Sequence, residues 1–130
     1  GAGFALARLG ARLVGGAAAV AETIGLEAAL AGDDVSTRAV VVTGEGRFDA
    51  QSARGKVVSH VSGVARAHGV PAGLVAGVIE AEPRGFAAVL ALAELAEPGE
   101  DPMRDAEALL RRAGAVLARR LADAAGTGLR

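Results

Sequence analysis

Arg38-Ala39-Val40-Val41-Val42-Thr43-Gly44-Glu45-Gly46-Arg47-Phe48-Asp49-Ala50-Gln51-Ser52-Ala53-Arg54-Gly55-Lys56 decides how the chain is read. It opens as a run of β-branched apolar residues, the composition of a strand buried on both faces. At Thr43 it turns into a polar, glycine-rich segment carrying two acids, two arginines, an amide and the Ser52 hydroxyl, and it closes on Gly55-Lys56. A buried strand over 38–43 ending in such a turn is where open α/β sheets place their ligands.

The flanks support that reading. Val57 to His68 has a helical spacing, with Val57, Val61, Val64 and Ala65 on one side, and Gly69-Val70-Pro71 stops it. Ala72 to Val78 is a second short apolar run, hence a second strand, and Gly77 near its end permits close backbone approach. Strand, helix and strand make a βαβ unit with an expected right-handed crossover. Upstream, residues 1–16 read as a helix with Phe4, Leu9 and Leu13 on a loose apolar face. Residues 17–30 read as a second helical stretch, broken at Gly25, with Val20, Ile24, Leu26 and Leu30 inward. Asp33-Asp34 reads as a solvated turn rather than a metal site.

Downstream, the Ala and Leu content of Phe86 to Leu95 suits a helix while its length and its place between Gly85 and Pro98 suit a buried strand, and Ala87 to Leu92 is assigned to a third strand. Asp101 then caps a helix with Pro102 in its first position. Met103, Ala106, Leu109, Leu110, Ala113, Val116, Leu117 and Leu121 recur at three and four, so they form its apolar side. The fold expected over residues 1–130 is a single α/β segment: a partial Rossmann-like domain with parallel strands and flanking helices.

Composition narrows the function. At 52% hydrophobic and 22% charged the chain is globular rather than disordered. A net charge of −1 and 2% aromatics, with no Trp or Tyr, argue against a nucleic-acid surface. Arg8, Arg12 and Glu22 interrupt the longest apolar N-terminal stretch, so no membrane span is expected. The absence of cysteine excludes disulfides, thiolate zinc sites and Cys nucleophiles, and it suits the reducing cytoplasm expected as the location. Lys56 is the single lysine against thirteen arginines, which invites a chemical reason for it. His60 and His68 stand away from carboxylate clusters and read as surface or capping residues.

Two phosphate motifs fail on the central stretch. Walker A would need Gly where Ala50 stands and a hydroxyl where Val57 stands, and the dinucleotide fingerprint would need Gly at Asp49. The residue types still suit a phosphate and a divalent cation. Gly44 and Gly46 let backbone N–H groups turn inward as an anion nest. Glu45 and Asp49 are the pair of carboxylates that a hydrated magnesium takes. Arg47 and Lys56 neutralise phosphate charge. The opposing reading is a capped strand-to-helix turn in which Asp49 is the N-cap and Arg47 its surface partner.

Thr43-Gly44-Glu45-Gly46-Arg47-Phe48-Asp49-Ala50-Gln51-Ser52 followed by Gly55-Lys56 resembles the late segment of the glycerate kinase family, Thr-Gly-Glu-Gly-x-x-Asp-x-Gln-Ser/Thr and then Gly-Lys. Gly1-Ala2-Gly3, Gly63-Val64-Ala65, Gly69-Val70-Pro71 and Ala76-Gly77 extend the likeness more weakly. The resemblance implies ATP-dependent, Mg2+-assisted phosphorylation of glycerate by a two-domain α/β protein. This chain would be its C-terminal part, incomplete without the N-terminal part. It implies that Glu45, Asp49 and Lys56 serve catalysis, with Glu45 and Asp49 as metal ligands. Thr43, Gly44, Gly46, Arg47, Gln51, Ser52 and Gly55 would contact phosphate or substrate. A non-catalytic phosphate- or nucleotide-binding module is the alternative, and a homodimer is left open.

Overall fold

The computed structural model describes residues 2–32, 35, 39–52 and 57–124. Its elements in chain order are α1 (Ala2–Arg8), α2 (Gly16–Thr23), α3 (Leu26–Leu30), β1 (Val41–Phe48), α4 (Val57–Ala67), β2 (Ala72–Ile79), β3 (Ala88–Ala91), α5 (Leu92–Leu95) and α6 (Ala106–Ala124). The three strands form a parallel sheet in the order β1-β2-β3. The architecture is therefore the α/β arrangement expected, a partial Rossmann-like sheet between helices. No described helix is long and apolar enough to cross a membrane.

Each face of the sheet has its own core. On one, Val58, Val64 and Ala65 of α4 pack with Leu74, Ala76, Phe48, Val70 and Ala72 in two adjoining clusters. On the other, Leu109, Ala113, Leu117 and Leu121 of α6 pack with Ala88 and Leu90 of β3. The three-and-four spacing of those leucines is what lays α6 along the sheet. Gly73 faces it: an added Cβ there would lie 2.9 Å from a methyl of Leu117. Small residues on β2 thus let α6 sit close.

The largest departure from the sequence reading is the length of β1. The strand does not end at Thr43; it runs through Thr43-Gly44-Glu45-Gly46-Arg47 to Phe48. The cause is pairing. Val41 to Phe48 keep one register with Ala72 to Ile79, with pairs on both sides of Gly46, so the ladder carries the chain past both glycines. Nor is the strand buried on both faces: Val40 and Val42 are exposed, because α6 covers β2 and β3 and leaves that side of β1 open.

Burial along β1 alternates through Val41, Thr43 and Glu45, then changes phase at Gly46, so that Phe48 is the next inward residue. In β2 the same offset takes the inward set from Ala76 to Ile79, and both strands remain paired beyond it. Two glycines sit at the offset. An added Cβ at Gly77 would lie 2.4 Å from the carbonyl oxygen of Gly46, so the close approach expected at Gly77 is real.

Other boundaries shift for local reasons. Residues 2–15 give only the short α1, none of it buried. The break at Gly25 is present, with φ at 71°, the left-handed region that glycine enters freely. Val20 and Ile24 are exposed rather than inward, and Val58 replaces Val57 on the buried side of α4. The third strand is four residues, after which Leu92–Leu95 turn into a helix. Asp101 caps a turn, not the long helix: its Oδ1 accepts from the N–H groups of Met103 and Arg104, and α6 begins at Ala106. Those N–H groups, Arg104's first, hold the Asp101 carboxyl below the usual carboxylate range. Met103 consequently points into solvent. Asp33 and Asp34 lie outside the described residues.

Candidate functional site

The open side of β1 has a structural consequence. Between it and α6 lies a cavity of about 1030 Å³, walled by Val42, Val75, Val78, Leu110 and Leu117 among others, and lined along the strand by Thr43 to Arg47. Five of the ten predicted site residues, Thr43, Gly44, Glu45, Gly46 and Arg47, therefore border one hollow along the strand, with Thr43 and Glu45 in the phase that faces α4 on the other side of the sheet. They do so as a strand, not a turn. Neither Gly44 nor Gly46 has a positive φ, so the anion nest expected of them is not formed. Gly44 instead permits tight pairing: an added Cβ would lie 2.5 Å from the carbonyl oxygen of Val75.

Glu45 is half-buried and in register with Ala76, on the side of the sheet that α4 covers. Its Oε1 is buried and makes no hydrogen bond among the described residues. An unpaired buried acceptor costs about 1–3 kcal/mol.

Asp49, Gln51 and Ser52 form a separate arrangement just past the strand. Asp49 Oδ1 accepts from the backbone N–H of Gln51 at 2.8 Å and of Ser52 at 2.9 Å. Ser52 is fully buried, and its hydroxyl lies 3.3 Å from both Asp49 Oδ1 and the carbonyl oxygen of Arg47. Asp49 thus caps the turn that follows β1, whereas α4 begins at Val57. Replacing Asp49 with Ala is expected to lower stability by about 1–2 kcal/mol, with Asn recovering most of it. Urea midpoints of the two variants check this.

The surface partner of Arg47 is not Asp49 but Glu80, whose Oε1 receives Nη1 at 2.6 Å. Glu80 was not among the sequence candidates. The signal that could have found it is its position immediately after β2, since parallel neighbours bring their carboxyl ends together. Gly55 and Lys56 lie outside the described residues.

Magnesium asks little of this donor set. Among the described residues no group of three or more His, Asp or Glu could hold a metal. A magnesium bound mainly by water and phosphate oxygens needs only one or two carboxylates. Glu45 fits that requirement, because one of its oxygens is unengaged, whereas Asp49 Oδ1 already serves the turn.

Comparison with known proteins agrees with the motif. The chain is 33% identical over 135 residues to "Uncharacterized protein Mb2228c" of Mycobacterium bovis and, at the same identity and length, to "Uncharacterized protein MT2261" of Mycobacterium tuberculosis. Each match covers 100% of this chain and 34% of the relative, so the chain spans about a third of the length of these relatives. No solved structure matches significantly. The sequence pattern of the glycerate kinase family matches residues 1–122, and the chain belongs to that family.

Proposed function

We propose that this chain is part of an ATP-dependent kinase that phosphorylates glycerate, with β1 supplying one wall of the reaction site. The observation that carries the reading is the buried oxygen of Glu45, without a hydrogen-bond partner among the described residues, on the α4 side of a strand whose other side borders a large cavity, in a chain of this family. A glycerate hydroxyl donating to that oxygen satisfies it. The hydroxyl oxygen then attacks the γ-phosphorus of ATP. The bond to the β–γ bridging oxygen breaks, ADP leaves, and the hydroxyl proton passes to the Glu45 carboxylate. Arg47 offers its guanidinium to the anionic groups at the cavity. Asp49 and Ser52 fix the path of the chain out of β1. Magnesium, when bound, would neutralise charge on the phosphates, with the second carboxylate oxygen of Glu45 as its protein ligand.

The test is ADP release by the full-length protein that carries this segment, with ATP, magnesium and glycerate, and product identification by 31P NMR. Glycerate-dependent ADP release with formation of a phosphoglycerate is expected. The 130 residues by themselves should show none, because phosphoryl transfer needs most groups positioned together. ATP binding without transfer to glycerate would replace the kinase with a nucleotide-binding module.

A further inference from the structure

Arg47 is the one cationic side chain among the described residues that line the cavity. Its surroundings are built rather than incidental. Arg47 pairs in register with Val78 at the carboxyl ends of two parallel strands. Glu80 follows directly, and its backbone N–H donates to the carbonyl oxygen of Phe48 at 2.8 Å, which extends the ladder past the last paired residues. Both ends of the Arg47–Glu80 ion pair are therefore attached to one rigid frame, and Phe48, buried to 2% exposure, anchors that frame beside the arginine.

The contact uses only Nη1. A guanidinium carries five N–H donors in a planar fork. The edge formed by Nε and Nη2 makes no hydrogen bond among the described residues, and the side chain is 63% exposed. An arginine held at one corner, with its other edge open, is prepared for a two-pronged contact with an oxyanion. Holding it beforehand reduces the side-chain entropy that ligand binding would otherwise remove. We infer that Glu80 is the positioning residue of an oxyanion subsite whose donor is Arg47.

This rests on the kinase reading only for the identity of the anion. The shared chemistry is a carboxylate or a phosphate group, the first from the hydroxy acid and the second from the nucleotide. The subsite itself stands on the geometry.

The test uses the full-length protein and the variants E80Q, E80D, R47M and R47M/E80Q. Two readouts are taken: the dissociation constant of inorganic phosphate by calorimetry, and the separate KM values for glycerate and ATP. E80Q is expected to weaken phosphate about fivefold, the scale of an exposed ion pair, and to raise one KM by a similar factor with kcat nearly unchanged. Which KM rises identifies the source of the anion. R47M should weaken binding more, and the double variant should be no weaker than R47M, because Glu80 acts through Arg47. E80D should recover part of the loss. Additive losses in the double variant, or unchanged phosphate affinity in E80Q, would overturn the inference. Tighter phosphate binding in E80Q would also overturn it, by making Glu80 a competitor for Arg47. If the protein binds phosphate in this pattern yet transfers nothing to glycerate, the kinase reading fails and the subsite remains.

Discussion

Gly77→Ala is expected to destabilise the protein by at least about 3 kcal/mol, enough to unfold a marginal domain. The added methyl would lie 2.4 Å from the carbonyl oxygen of Gly46 and 3.4 Å from its carbonyl carbon. Those atoms belong to the backbone of the neighbouring strand, so no rotamer change relieves the clash. Only separation of β1 from β2 does, and that breaks the ladder at the middle of the site. Gly46→Ala is the matched control: nothing lies within 4 Å of a Cβ there, so its effect should stay within about 1 kcal/mol. Urea unfolding followed by circular dichroism compares the two. Equal midpoints for Gly77→Ala and the parent would show that the strands do not approach so closely in solution.

Glu45→Gln should separate stability from activity. The parent holds a buried carboxylate oxygen without a hydrogen-bond partner among the described residues. The amide keeps the shape and polarity of the side chain, so the unfolding free energy is expected to change by less than about 1 kcal/mol. It is far too weak a base to take a proton. Loss of a positioned proton acceptor typically costs about a hundredfold or more in rate. The expected pair of results is a nearly unchanged midpoint with, in the full-length protein, kcat for the proposed glycerate phosphorylation reduced about a hundredfold. A large loss of stability would assign Glu45 to the fold, and full activity would remove it from the chemistry.

How much of this was legible in the residues varied by element. The parallel α/β plan followed from two apolar runs flanking a helical spacing, and α6 followed from its leucines. The close approach at Gly77 was also readable, since a glycine late in a strand has few other uses. The end of β1 was not. Thr-Gly-Glu-Gly looks like a turn because glycine and acids are poor strand formers taken one at a time. Their conformation is set instead by β2, whose pairing residues lie beyond the intervening helix. Tertiary pairing overrode local preference. At the candidate site, the strand residues were found together by motif, but Glu80 was not, because its link to Arg47 exists only once the two strands are side by side. Asp49 was assigned two roles, and the structure displays the capping one.

The matched change of phase at Gly46 and Gly77 has a consequence for protein engineering. Half of the instruction for shaping the motif is written on a different strand, so transplanting Thr43 to Ser52 into a foreign scaffold would carry the letters without their meaning. The smallest portable unit is the whole strand–helix–strand block, with the distant glycine travelling as part of the motif.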